Sequence, residues 1–135
     1  MPADLQRLAR LRLAKDILDR SYAEPLDLRA IADAAGYSLF HFVRAFRDVY
    51  GETPGRYLSR RRVERAKDLL RSANLTVTEI CLQVGFASLG SFSARFHEVV
   101  GVSPSAYREE MVRRGGPPPV PGCFVLMWSG TRAQS

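Results

Sequence analysis

The 135-residue sequence predicts an all-α fold of about seven helices, and three observations support this class. No stretch alternates apolar and polar residues convincingly with period two, which argues against strands. Apolar residues instead recur at helical spacing between glycines and Ser/Thr-Pro pairs, which are typical helix boundaries. A segment of about fifty residues also occurs twice. Two copies are too few for a solenoid, so we expect two small helical units.

The composition excludes several classes of protein. Hydrophobic residues make up 46% and charged residues 25%, which is ordinary for one modest globular domain with a real core. No apolar run approaches the roughly 18 residues of a membrane span, and the charged start does not lead into a signal peptide. Cys81 and Cys123 fit neither a disulfide framework nor a metal-ligand spacing. We therefore expect a cytoplasmic protein without membrane attachment or metal.

The first helix is expected from about Leu5 to Tyr22 and has two apolar ridges. One ridge should pack on the helices that follow, while the other either meets further core residues or forms a partner surface. The two ridges are Leu5, Ala9, Leu13 and Ile17 on one side, and Leu11, Leu18 and Tyr22 on the other.

The first repeat, about residues 27–50, is interpreted as two helices joined by a tight turn. Gly36 suits the left-handed position that ends one helix, and Ser38 suits the N-cap of the next. The buried face of that second helix is expected to consist of Phe42, Phe46 and Val49.

One long linker helix is expected over about residues 54–73, opened by Thr53 and Pro54. It holds seven basic and two acidic residues, which gives it +5 of the net charge of +6. Concentrated positive charge on one element is typical of a protein that binds a polyanion, most often nucleic acid. Arg62 falls inside the apolar arc of this helix, so we expect a structural arginine paired with a carboxylate, with a phosphate ligand as the alternative.

The second repeat, about residues 76–100, follows the same pattern. Thr76 and Glu79 form a capping-box sequence, and Gly85 ends the first helix. A small residue stands four positions before each turn glycine, Ala32 in one repeat and Cys81 in the other, which allows two helices to cross closely. The residues that recur fifty positions later are Ser38, Phe42, Phe46, Val49, Gly51, Pro54 and Tyr57, matched by Ser88, Phe92, Phe96, Val99, Gly101, Pro104 and Tyr107.

Two helices around a glycine-containing turn are the signature of a helix-turn-helix motif. A linker helix of about twenty residues is about 30 Å long. Successive major-groove faces on one side of B-DNA are about 34 Å apart. One polypeptide can therefore place two recognition helices in adjacent major grooves, and we expect it to bind double-stranded DNA as a monomer.

Two segments carry a family resemblance. The sequences GYSLFHFVRAFRDVYGETPGRYL and VGFASLGSFSARFHEVVGVSPSAYR resemble the paired helix-turn-helix domain of the AraC/XylS transcription regulators, over about residues 5–112. The resemblance implies a homeodomain-like, seven-helix DNA-binding domain over 1–114. It also implies a bacterial activator that contacts RNA polymerase and acts in the cytoplasm at the nucleoid. This chain has no room for the separate effector-binding domain of many members, so it is more similar to the short single-domain ones.

The side of each recognition helix opposite its Phe face should read the bases. Arginine can bind guanine through two hydrogen bonds, and apolar side chains can pack on thymine methyl groups. For Phe40 and Val43, burial in the core remains the alternative. The base-reading candidates are Leu39, Phe40, Val43, Arg44 and Arg47 in the first repeat, and Gly90, Ser93 and Ala94 in the second.

A second set of residues should contact phosphate or backbone, because hydroxyl groups at helix starts and basic side chains on the linker helix are typical of such contacts. These candidates are Ser38, His41, Arg60, Arg61, Ser88, Ser91 and Arg95. Family members commonly carry arginine at the position of Ala94. This departure predicts an unequal reader, in which the first motif specifies sequence and the second mainly adds affinity.

Residues 115–135 are expected to form a Pro/Gly linker and a non-helical apolar tail, outside the resemblance. The tail either folds back onto the helical domain, binds a partner or another copy, or is disordered. No set of residues typical of catalysis is found, so we expect neither an enzyme nor a cofactor. Two functions remain as alternatives to a sequence-specific regulator: an adaptor of the same fold that binds another regulator or polymerase, and a nonspecific DNA binder.

Overall fold

The computed structural model describes residues 3–115, and within them it contains seven α-helices and no strand. The all-α class and the number of helices are therefore confirmed. The predicted tail, including Cys123, lies outside the described residues beyond Gly115. The helices are α1 (Ala3–Arg20), α2 (Leu28–Ala34), α3 (Leu39–Tyr50), α4 (Pro54–Ser72), α5 (Val77–Gln83), α6 (Leu89–Val100) and α7 (Pro104–Arg113).

The predicted caps set the boundaries of α3 and α6, the second helix of each repeat. Ser38 accepts a hydrogen bond from the backbone N–H of His41 at the start of α3. Ser88 performs the same task at the start of α6. Gly51 and Gly101 end these helices in the left-handed conformation, with φ of 86° and 98°. An L side chain rarely adopts this conformation, so glycine is required at both positions.

The described residues form two compact units that share helix α4. Unit 1 comprises residues 3–61, with α1 to α3 and the beginning of α4, and unit 2 comprises residues 62–115, with the rest of α4 and α5 to α7. Each unit has its own apolar core. The repeat seen in the sequence is therefore a repeat of complete folding units.

A row of aromatic rings in edge-to-face and tilted contacts forms the centre of the unit 1 core. The ring centroid of Phe46 lies 5.8 Å from that of Phe42 and 5.8 Å from that of Tyr57. Val49 was predicted to complete this face, and that prediction is wrong, because Val49 is 39% exposed. Tyr50 occupies the position instead, with its ring 4.7 Å from Phe46.

Helix α1 packs on this core through the second of its two apolar ridges. Leu11 and Leu18 are fully buried together with Ala14, and Tyr22 is partly buried against them. The other ridge is mostly exposed, with Leu5 and Leu13 on the surface and only Ile17 partly buried. The sequence alone left this choice open.

The unit 2 core repeats the aromatic row. Phe96 lies between Phe92 and Tyr107, with centroid distances of 5.7 Å on both sides. Cys81 is buried as expected, and its thiol donates a hydrogen bond to the carbonyl oxygen of Ser88, with 3.4 Å between sulfur and oxygen. Burial also raises the pKa of this thiol, so Cys81 has the structural role that its position predicted.

The repeat also includes α1 and the second part of α4. The guanidinium of Arg10 lies 5.5 Å from the Tyr37 ring in unit 1, and that of Arg62 lies 5.9 Å from the Phe86 ring in unit 2. Arg10 and Arg62 are 52 positions apart, as are the segments 14–16 and 66–68, which both read Ala-Lys-Asp. Helix α1 and the second part of α4 are therefore equivalent elements of the two units.

A polar cluster around Asp19 joins α1 to α4 in unit 1. The Tyr57 hydroxyl donates a hydrogen bond to the Asp19 carboxylate, which also pairs with Lys15 at 3.2 Å and Arg61 at 3.1 Å. Burial by itself would raise the pKa of Asp19. The hydrogen bonds from Tyr57 and Lys15 and the nearby positive charges outweigh burial, so the pKa lies below its ordinary value.

This cluster makes the stability of unit 1 depend on pH. A carboxyl group whose pKa is lowered by folding stabilises the folded state above its ordinary pKa of about 3.9. That contribution is lost as the pH falls through the lowered value. The Asp19→Asn variant should therefore be less stable at pH 7 by about 1 kcal/mol, since a partly exposed cluster is screened by solvent.

The measurement is urea denaturation between pH 2.5 and pH 7. The difference in the free energy of unfolding between wild type and Asp19→Asn should shrink as the pH falls below about 4. Asp16→Asn, on the same helix, serves as the control for removing a carboxylate. A difference that stays constant across this range would contradict the prediction.

Candidate nucleic-acid interface

The exposed side of α3 carries an aromatic and a basic side chain next to each other. Phe40 is 65% exposed although it is large and apolar, and the Arg44 guanidinium lies 5.7 Å from its ring. Arg47 is also exposed, one turn further along. Leu39 and Val43 are half-buried, so burial is partial at both. Of the five base-reading candidates on α3, the structure thus places Phe40, Arg44 and Arg47 fully on the surface.

The start of α3 holds an ordered polar pair. Ser38 Oγ and His41 Nδ1 lie 2.9 Å apart, and the same Oγ accepts a hydrogen bond from the His41 backbone N–H. In the tautomer in which the Ser38 hydroxyl donates to Nδ1, the proton of His41 resides on Nε2, which is then a donor. The first turn of a helix also favours negatively charged groups.

A shallow cavity of about 620 Å³, the first cavity, lies between the turn, α3 and the start of α1. Two arginines and a histidine face a single carboxylate there, so the lining is rich in positive and hydrogen-bond-donating groups. The lining residues are Arg7, Gly36, Tyr37, Ser38, His41, Arg44, Ala45 and Asp48.

Unit 2 has a corresponding cavity on α6, the second cavity, with a volume of about 550 Å³. Four positions of the first cavity recur here fifty residues later. His41 is replaced by Ser91 and Arg44 by Ala94, while Ala45 and Asp48 become Arg95 and Glu98, and His97 completes the lining.

The charge of the second cavity is partly neutralised within the protein. Arg95 donates a hydrogen bond to Glu98 at 2.9 Å, and only 12% of its side chain is exposed. Ala94 and Gly90 are exposed, whereas Ser93 is half-buried. The two hydroxyls at the start of α6, Ser88 and Ser91, lie 3.0 Å apart. The candidates on α6 are thus brought together, but with much less positive charge than those on α3.

The arginines predicted to contact phosphate from α4 are held by carboxylates in unit 1. Arg60 binds Glu52 through two nitrogens, at 3.0 Å and 2.6 Å, and its guanidinium lies 5.3 Å from the Tyr57 ring. Arg61 binds Asp19, as described above. Their roles as phosphate ligands stay predictions. Arg62 is half-buried, and burial lowers the pKa of its guanidinium; the predicted carboxylate partner likewise stays a prediction.

The described part of the chain holds neither a metal-ligand cluster nor a membrane-spanning helix. Residues 3–115 contain no group of three or more His, Cys, Asp or Glu side chains that could hold a metal ion. Among the same residues, no helix has the length and apolar character needed to cross a membrane.

Comparison with known proteins identifies the family. Residues 31–110 match a family model described as a helix-turn-helix domain. The chain is 42% identical over 83 residues to the HTH-type transcriptional activator AarP of Providencia stuartii, covering 62% of each protein. An AraC-type regulator structure from Chromobacterium violaceum superposes with a TM-score of 0.68 at 26% identity, over 78% of this chain and 95% of the other. The chain belongs to the AraC/XylS family.

The AraC/XylS assignment confirms the resemblance carried by the two repeated segments, and it makes the described fold a DNA-binding helix-turn-helix domain of a transcription regulator. A further similar structure is the DNA-binding domain of AdpA in complex with a target DNA, with a TM-score of 0.72 at 30% identity. The superposition covers 77% of this chain and 94% of the AdpA domain. Other curated relatives are matched over only 29–36% of their own length.

Sequence reasoning missed one residue that lines the first cavity. Arg7 of α1 lines the first cavity, and the neighbouring Arg10 packs on Tyr37 in the turn. The 52-residue offset that relates Arg10 to Arg62 is the signal that would have linked α1 to the motif. This offset differs from the fifty positions that relate the two recognised segments, so the equivalence of α1 and α4 was not predicted.

Proposed function

We propose that this chain is a sequence-specific transcription activator that inserts α3 and α6 into adjacent major grooves of an asymmetric promoter site of about 20 bp. The observation that carries the proposal is the duplicated surface. Each unit presents a serine-capped helix with a buried Phe face and an exposed opposite face. A single copy of the chain then supplies both recognition helices, which removes the need for a dimer.

The first motif supplies direct base readout. Arg44 is exposed and has the shape to donate two hydrogen bonds to a guanine edge. The exposed ring of Phe40 lies 5.7 Å from its guanidinium, in a cation–π contact, and the same ring can pack on a thymine methyl group. An exposed phenylalanine next to two arginines has no use on a helix that faces only water.

The second motif supplies mainly affinity and register. Ala94 cannot donate a hydrogen bond where Arg44 does in the first motif, and Arg95 is already engaged by Glu98. The Ser88 hydroxyl donates to Ser91 Oγ, so the Ser91 hydroxyl remains as the donor near the start of α6, where backbone phosphates are favoured. The protein is therefore proposed to be an unequal reader that acts at the bacterial nucleoid and activates through contact with RNA polymerase.

Selection from a random-sequence DNA pool, at two salt concentrations, tests this function. We expect an enriched site with two blocks about one helical turn apart. Strongly salt-dependent binding without an enriched sequence would instead establish a nonspecific binder. No binding at all would overturn DNA recognition by this chain.

The selected site then tests the inequality of the two motifs. Single base-pair changes in the block read by α3 should each weaken binding by about 1–3 kcal/mol. Changes in the block read by α6 should each cost less than about 0.5 kcal/mol, since no base-reading arginine is available there. The measurement is the Kd of each mutated duplex in a fluorescence anisotropy titration. Equal losses in the two blocks would contradict the unequal reader.

A further inference from the structure

We propose that Arg7 of α1 is a DNA phosphate ligand. It lies at the edge of the first cavity, which His41 and Arg44 also line. This inference rests on the proposed function and extends it, because it places a contact outside both recognition helices. Its basis is the convergence of side chains from two different helices on one concave, positively charged surface.

The start of α1 is fixed against the turn of the first motif. Arg10 lies against Gly36, where its Cδ and Nε are each 3.7 Å from the position that a β carbon would take. The Arg10 guanidinium also packs on the Tyr37 ring at 5.5 Å. Arg7 precedes Arg10 by about one helical turn and is therefore on the same side of α1. The position of Arg7 beside the cavity thus follows from packing on the turn.

The charge of the first cavity favours an anion. Arg7 and Arg44 contribute two guanidinium groups against the single carboxylate of Asp48. In the tautomer in which Ser38 donates to Nδ1, the His41 ring adds an Nε2–H donor. Arg7 is exposed and lies at the edge of this surface. We expect this anion to be a DNA phosphate. Helix α3 forms one wall of the cavity, and its insertion into a major groove would bring the DNA backbone next to the cavity.

Its position on α1 assigns Arg7 to phosphate rather than to a base. Side chains on the recognition helix reach base edges, whereas cations on flanking elements meet the sugar-phosphate backbone. An arginine at this position is particular to the first repeat. The residue 52 positions after Arg7 is Ser59, which carries no charge and donates its hydroxyl hydrogen bond to the Arg56 carbonyl oxygen.

The test compares Arg7→Gln with Arg12→Gln. Both substitutions remove one positive charge from an exposed position of α1, but Arg12 is not among the residues that line the first cavity. The Kd of wild type and both variants is measured on the selected duplex and on a scrambled duplex, at several salt concentrations. Thermal unfolding followed by circular dichroism verifies that both variants are folded.

We expect Arg7→Gln to weaken binding to both duplexes by about three- to tenfold at low salt, because one charge-assisted contact is lost. The slope of log K against log salt should fall by about 0.9, the value for one phosphate contact. The selected sequence should stay the same, and Arg12→Gln should change the Kd by less than about twofold.

Two results would overturn the inference while leaving the proposed function intact. One is an equal effect of Arg7→Gln and Arg12→Gln, which would reduce Arg7 to a contributor to net charge. The other is a changed base preference in Arg7→Gln, which would make Arg7 a base reader. Failure of the wild-type chain to bind either duplex would overturn the proposed function, and this inference with it.

Discussion

Replacing Phe46 with alanine should lower the free energy of unfolding of unit 1 by about 3–5 kcal/mol. The Phe46 side chain has no exposed surface, and its ring contacts those of Phe42, Tyr50 and Tyr57. Truncation would leave a cavity at the point where three aromatic rings meet. A unit of about sixty residues is stable by only a few kcal/mol, so this loss should unfold much of unit 1.

Hydrogen exchange followed by NMR measures this effect in each unit separately. The amide protons of α2 and α3 should lose protection in Phe46→Ala, and those of α5 and α6 should lose it in the equivalent variant Phe96→Ala. Phe40→Ala is the matched control on α3, since Phe40 is mostly exposed and should cost no more than about 0.5 kcal/mol. Equal costs for Phe46→Ala and Phe40→Ala would contradict the core described here.

The second large effect is expected in DNA binding. Arg44→Ala should weaken binding to the selected site by about 1–3 kcal/mol, because a bidentate contact to a guanine edge is lost. This loss corresponds to about a 5- to 150-fold increase in Kd. It should be accompanied by relaxed preference at one position of the block read by α3. A repeat of the selection experiment with the variant measures that preference directly.

A scrambled duplex distinguishes base readout from charge. Arg44→Ala should weaken binding to the scrambled duplex much less than binding to the selected one, since nonspecific binding depends on phosphates. The reciprocal variant Ala94→Arg places arginine at the equivalent exposed position of α6. It should add a base preference in the block read by α6. Equal losses on both duplexes for Arg44→Ala would assign Arg44 to phosphate.

The sequence predicted the helices well because their boundaries are local. A serine that caps a helix, or a glycine that ends one, acts on residues no more than four positions away. Ser38, Gly51 and the Thr76–Glu79 capping box could therefore be recognised without knowing the tertiary structure. The repeat strengthened each assignment, since the same signals occurred twice.

The features that sequence reasoning missed depend on residues that are distant in the chain. The Asp19 cluster joins side chains 38 and 42 positions apart, and no local pattern reports such a pair. Whether Tyr50 or Val49 packs on Phe46 depends on which rings lie next to the end of α3. The same holds for the candidate site, where Arg44 could be selected on α3, while Arg7 required knowledge of where α1 packs.

The rate at which the buried Cys81 thiol is chemically modified can report local opening of unit 2. With 1% exposure and a raised pKa, this thiol is shielded from alkylating reagents as long as α5 and α6 remain packed. Modification of this sulfur then requires a transient opening of the unit, so its rate reports the free energy of that opening. Unit 1 has alanine, Ala32, at the corresponding position and carries no such probe. Modification of Cys81 can thus follow the opening of unit 2 separately from that of unit 1.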